Sequence, residues 1–409
     1  MKKQLALAAA ILATAVSASA QTQVLKDAER AMKDGKPAAE VATIITPAFT
    51  DPETKDLAQT YFIPGKASFT EYDHLLGLQA LNKLPEGGNA TMANDLLNGY
   101  DFFMKALPLD SVADAKGKIK TKYSKEIVNT LAGHHNDFNS CAITFWELRD
   151  FKGAYRSWDI YLGMIKNPVF AKSIASNVPA DTIIGEIYYN QALAAWQADE
   201  LQNALASFKS ARSYGYAKKQ LFDYALAVAA NLNDNEETYK IASQAQEIFG
   251  AEDATYIGYI INYYLQNKDF DKAFQRIDEA IANNPDNSQY YFVKGILFDN
   301  QDKKADAKGM FAKAIELDPN NWQALLQYGR SLCEEAYALS DAAPANPAEF
   351  EKMYNEQIVP LFKEAAEYLE RSYDANQDNP DALRYLENVY YNLKDEAKLQ
   401  DVKNRQAAL

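Results

Sequence analysis

Residues 285–332 read PDNSQYYFVKGILFDNQDKKADAKGMFAKAIELDPNNWQALLQYGRSL, and within this stretch Pro285 returns as Pro319 and Gly295 as Gly329. Both intervals are 34 residues (319 − 285 and 329 − 295). Outside the stretch the same spacing joins Ala273 to Ala307, Ala280 to Ala314 and Ala211 to Ala245, while Phe208 is followed at that distance by Ala242. Self-similarity at this period marks a stack of repeated supersecondary units. The residues inside the period describe two helices and a tight turn. Tyr291, Lys294, Gly295 and Phe298, like Leu325, Tyr328, Gly329 and Leu332, set large groups around a glycine at helical spacing, where a missing side chain lets a partner helix approach closely. The second helix of each pair supplies the matching surface, small then large on one face: Ala154 and Trp158, Ala204 and Phe208, Ala273 and Ile277, Ala307 and Phe311, Ala365 and Leu369. Pro285 and Pro319 follow helix ends, where a residue without an N–H stops one helix before the next connection.

On these residues the chain resembles the tetratricopeptide repeat (TPR) family, and in particular exported TPR proteins of the Gram-negative periplasm. The resemblance implies an all-α fold: an α-solenoid, a right-handed superhelix of antiparallel helix pairs. The units run about 135–168, 185–218, 219–252, 254–287, 288–321 and 322–377. Leu226 and Ile261 stand where the family prefers a small residue, and Tyr161 and Thr238 replace alanine, so packing there adjusts locally.

The flanks follow the pattern less closely. Residues 1–20 read as an export signal, with Lys2 and Lys3, an apolar run from Leu5 to Val16, and Ala18-Ser19-Ala20 before Gln21. No cysteine follows that site to accept a lipid, so a periplasmic or secreted protein is expected, with no integral membrane segment after signal removal. Residues 21–134 form an N-terminal helical region of degenerate units, in which Pro64 beside Gly65 should kink or shorten a helix. An insertion at 338–364 interrupts the last unit. Its loop, residues 342–347, ends in Asn346 and Pro347, suited to cap and open a helix, and it is expected to project from the stack. Residues 378–409 read as capping helices with a polar outer face. The run Lys116, Lys118, Lys120, Lys122 and Lys125 reads as a solvated connection in preference to a docking patch.

The formal charge is −14, and the acidity lies on residues 135–409, which carry −14 against −2 for 21–134. Nucleic acid, a polyanion, is excluded as a partner. Cys141 and Cys333 are too far apart in a stack to pair and are expected as buried thiols. The sequence lacks a nucleophile elbow, a phosphate-cradling loop, a His-Glu-x-x-His pair and a Cys-x-x-Cys pair. His134 and His135 diverge by about 100° on a helix and do not share a metal. No cofactor and no catalytic residue are assigned, and an enzyme ranks last among the readings.

In TPR proteins the first helices of successive units line a concave groove that holds a protein or peptide partner. Carried onto this chain, the groove residues are Asn139, Trp146, Tyr189, Trp196, Asn262, Phe292, Asp299 and Arg330, with Ile143, Leu193 and Glu334 beside them. The tryptophans serve equally as contact anchors or as packing between helices. Some family members clamp a C-terminal carboxylate with lysines, but the matching places here are Asn139, Tyr189, Asp223, Gly258, Phe292 and Leu326. The expected function is an exported protein-interaction scaffold. The alternative is a glycan- or small-solute-binding protein, to which a content of 12% aromatic residues is suited.

Overall fold

The computed structural model describes residues 23–111, 117–250, 253 and 255–408; the export-signal segment and Lys116 lie outside them. Every regular element among the described residues is a helix, and the fold is an α-solenoid built of antiparallel helix pairs. Two compact units are present, one ending at Leu221 and the other beginning at Phe222. Among the described residues no helix is long and apolar enough to cross a membrane.

The first unit opens with α1 (residues 23–33) and α2 (Ala38–Ile45), which close on a core of Leu25, Ala28, Val41 and Ile45 that also takes in Ile63 and Ala67. Helix α3 (Ala58–Ala80) then pairs with α4 (Gly88–Leu109). Here the sequence expectation fails, because α3 runs unbroken through Pro64. An interior proline costs a helix about 3 kcal/mol. That cost is outweighed by burial of Phe62, Ile63, Ala67, Phe69 and Tyr72, spread around the helix between the α1–α2 core and α4. Gly65, next to the proline, is the contact point: a Cβ there would fall 2.5 Å from the Phe103 ring of α4.

Asp95 of α4 is buried, at 8% exposure, with Oδ2 out of reach of any hydrogen-bond partner. Burial, assisted by the negative charge of Glu71 on α3, pushes its pKa up to about 7. Glu71 itself accepts the Ala38 N–H that opens α2. After α4 the carboxylate of Asp110 accepts the N–H groups of Lys122, Tyr123 and Ser124 and the Ser124 hydroxyl. Burial acts to raise the Asp110 pKa, but these bonds win and hold it below the ordinary value. They tether one end of the lysine-bearing connection, whose Lys118, Lys120 and Lys122 are exposed.

The unit continues through α5 (Ser124–Gly133), α6 (His135–Glu147), α7 (Phe151–Lys166), α8 (Pro168–Ile174), α9 (Asp181–Gln197) and α10 (Leu201–Ser213). Helices α6 and α7 pair, α9 and α10 pair, and α7 packs on α9 to join the two hairpins. Ala154, Ala204, Phe208 and Trp158 are buried at these junctions. Tyr161, which replaces an alanine, is accommodated by stacking on His135, ring centroids 4.3 Å apart, while His135 Nε2 bonds the Tyr161 carbonyl.

The second unit comprises most of α11 (Lys219–Asn231), then α12 (Asn235–Phe249), α13 (Thr255–Gln266), α14 (Phe270–Asn283), α15 (Ser288–Asn300), α16 (Lys304–Leu317), α17 (Trp322–Asp341), α18 (Pro347–Met353), α19 (Val359–Ala375), α20 (Asp381–Asn392) and α21 (Glu396–Ala408). The glycines of the period do what their spacing implies. A Cβ on Gly295 would lie 2.5 Å from the Phe311 ring, and one on Gly329 would lie 2.7 Å from Leu369. Ala273, Ala307 and Ala365 are buried, as are Leu226 and Ile261, so the larger residues at small-residue sites are absorbed into the core. Cys141 in the first unit and Cys333 in the second are buried free thiols, and burial pushes both up to about 12.

A second period lies in the turns. Arg149, Asp199, Asn233, Lys268, Asp302 and Lys394 each take a left-handed conformation, with φ between 55° and 60°. The next residue caps the following helix in four cases: Asp150, Asp234, Asp269 and Asp395 each accept an N–H three residues on. The turn before α21 is therefore built like the others, and α20 with α21 forms a helix pair of the same kind. The 322–377 segment has no such turn. In its place α17 is prolonged to Asp341, Asn346 caps α18 through the Ala348 N–H, and a single π-helical turn, Tyr354–Ile358, leads into α19. The insertion does not project freely. Ile358 is buried, and the Tyr354 hydroxyl donates to the Asn392 carbonyl at 2.6 Å, drawing the segment onto α20.

Candidate functional site

In the first unit side chains of α6, α7 and α9 line a pocket of ≈ 200 Å³: Ile143, Trp146, Trp158, Asn190 and Leu193. Ile143 is 49% exposed and leaves an apolar side chain at the pocket mouth. Trp146 is half-buried and meets Phe151 edge-on, centroids 5.2 Å apart, which fixes the indole at the pocket wall. Trp158 enters from α7 as the floor, and its indole N–H donates to Asn139 Oδ1 at 2.9 Å. Asn139, a groove candidate by sequence, thus spends its carbonyl oxygen on orienting the pocket floor.

The remaining candidates of this unit divide. Trp196 is half-buried on α9, two turns beyond Tyr189. Tyr189 is buried and stacks on Tyr216 at 5.0 Å, with Phe208 at 6.1 Å. The structure places it inside the α9–α10 hairpin. Asn190 and Trp158 were not among the sequence candidates. Asn190 had a signal, lying three residues before Leu193 on the same stripe; Trp158 had none, because its spacing reads as core.

In the second unit Asp299 of α15 and Arg330 of α17 meet as an ion pair. Lys304 joins Asp299 at 2.8 Å, and Glu334 approaches Lys304 and Arg330, at 3.4 Å in each case. Burial acts to raise the Asp299 pKa, but hydrogen bonds from Lys304 and Arg330 outweigh it and hold the carboxylate below its ordinary range. This closed network of two cations and two anions ties α15 to α17. Phe292 is half-buried against Phe311, and Asn262 is exposed on α13. Among the described residues no group of three or more His, Cys, Asp or Glu is placed to hold a metal ion.

No protein-family model matches the sequence, and no curated protein matches it. Solved structures similar to it include YrrB, a TPR protein with an unusual peptide-binding site, at 21% identity over 53% of this chain and 96% of that one, TM-score 0.31. PilF of Pseudomonas aeruginosa shares 15% identity over 55% of this chain and 90% of its own, TM-score 0.38. A tetratricopeptide repeat protein from Parabacteroides merdae shares 13% identity over 67% and 99%, TM-score 0.35. At these values the functional reading rests on this chain's own residues.

Proposed function

We propose that the protein is an exported interaction scaffold that holds a peptide segment of a protein partner along α6 and α9. The observation that carries this reading is the α6–α9 pocket, where two indoles, an isoleucine and a leucine form an apolar cup beside the amide of Asn190. An exposed apolar cup rimmed by a polar group is the form of a side-chain anchor site. Rigid helix pairs on either side hold its walls in place, so a partner side chain enters a preformed cavity. The paired charges of Asp299, Lys304, Arg330 and Glu334 make the corresponding face of the second unit less suited to apolar capture.

Affinity capture with the wild-type protein identifies the partner, whose affinity is then measured for Trp146→Ala and Ile143→Glu. Each variant is expected to keep the wild-type thermal midpoint within a few degrees and to weaken binding by about thirtyfold, equivalent to about 2 kcal/mol. Undiminished affinity in stable variants would remove the pocket from the binding surface. Export is checked separately: the protein isolated from its native source should begin at Gln21 on N-terminal sequencing, and a terminus at Met1 would overturn that part of the reading.

A further inference from the structure

The insertion and the last helix pair together build a cavity. It has a volume of ≈ 480 Å³ and is lined by Tyr354 from the insertion, by Tyr391 and Lys394 at the end of α20, and by Glu396, Gln400 and Lys403 at the start of α21 and along it. The size falls within the ~300–1,000 Å³ of small-molecule sites. Two of its tyrosines are walls. Tyr390 is buried with its hydroxyl donating to Glu370, and Tyr354 is held by its bond to the Asn392 carbonyl.

Tyr391 is different. It is 72% exposed, the most exposed large hydrophobic side chain among the described residues, and no ring of those residues stacks on it. Lys394 and Glu396 at the same rim have no ion-pair partner among the described residues, whereas Lys403 faces Glu387 at 4.0 Å. A flat π face thus stands next to an uncompensated ammonium, an uncompensated carboxylate and the amide of Gln400.

We infer that this cavity is a carbohydrate subsite that takes a neutral hexopyranose unit of a glycan. A pyranose ring presents an apolar C–H face, which lies on an aromatic face, and a periphery of hydroxyls that both donate and accept hydrogen bonds. The rim offers a group for each role: the Lys394 ammonium donates to a hydroxyl oxygen, the Glu396 carboxylate accepts from a hydroxyl, and the Gln400 amide does either. A strongly acidic or basic ligand would meet one of the two unpaired charges with the wrong sign. This site lies in the second unit, independent of the peptide pocket in the first, and neither reading depends on the other.

The test is saturation-transfer NMR and titration of the full mature chain with maltotriose, cellotriose and chitotriose. At least one is expected to receive saturation at its ring C–H protons and to titrate to a Kd below about 10 mM. Tyr391→Ala and Lys394→Ala, both at exposed positions, should each weaken that binding about tenfold or more without moving the thermal midpoint. Trp146→Ala should leave it unchanged. Absence of binding by all three sugars, or equal affinity in Tyr391→Ala, would overturn the assignment, as would a peptide ligand displacing the sugar from this cavity.

Discussion

Phe311→Ala is expected to remove about 3–5 kcal/mol of stability from the second unit, read as a fall in the midpoint of its urea unfolding. Phe311 has no solvent exposure and fills the space that Gly295 leaves open on α15. Emptying that space leaves the α15–α16 hairpin facing a cavity. The complementary change overfills it. Gly295→Ala gains about 1 kcal/mol of helix propensity, but its Cβ would meet the Phe311 ring at 2.5–2.6 Å, and overpacking of that kind costs about 1–3 kcal/mol. The net effect is destabilising. Combining Gly295→Ala with Phe311→Leu should recover part of the sum of the single losses, because the two residues share one contact. A stabilised Gly295→Ala variant would show that the ring moves aside freely and that the close approach is not what holds the pair.

Asp95→Asn should stabilise the first unit at pH 7.5 by about 3–4 kcal/mol and leave its stability at pH 4 nearly unchanged. Between the ordinary value of 3.8 and about 7, the folded chain keeps a proton on Asp95 that the unfolded chain has released. The folded state therefore holds more protons in that window, and stability falls as pH rises through it. Asparagine removes the titration while keeping the shape. The readout is the difference between wild type and variant in unfolding free energy across pH 4–8, which cancels other titrating groups. A flat difference would mean that Asp95 is solvated in the folded state.

How much of this was legible in the sequence depends on whether a residue's role is local. The all-helical repeat fold was readable because Gly295, Gly329, Ala307 and Ala365 are small for a reason that recurs every 34 residues. Pro64 misled because local propensity was set against the burial of a 23-residue helix, which the sequence does not price. The left-handed turns escaped notice because Arg149, Lys268 and Lys394 are not residues that favour φ above zero; the conformation is imposed by the closed hairpin and by the aspartate cap that follows. For the groove, a 3.6-residue stripe marks which helix face is turned toward the neighbouring helices but not whether a side chain ends in solvent or in a hairpin. Trp146 and Tyr189 look alike by spacing. Tyr216 and Phe208, from the loop and helix that follow, draw the tyrosine inward, while Trp146 meets Phe151 edge-on and stays at the pocket wall. The tyrosine-lined cavity had no sequence signature, because it exists only once Tyr354 has folded back on Asn392.

That fold-back also has a meaning in chain entropy. The α15–α16 hairpin closes a connection of residues 301–303, whereas α17 and α19 must close one of residues 342–358. With closure entropy growing as the logarithm of loop length, the longer connection costs about 1.5 kcal/mol more. Burial of Ile358 at 1% exposure contributes about 1.5–3 kcal/mol in the other direction, and the Tyr354 hydroxyl bond adds to it. The inserted segment thus carries its own means of closure, which is why a break in the 34-residue period does not become a break in the stack.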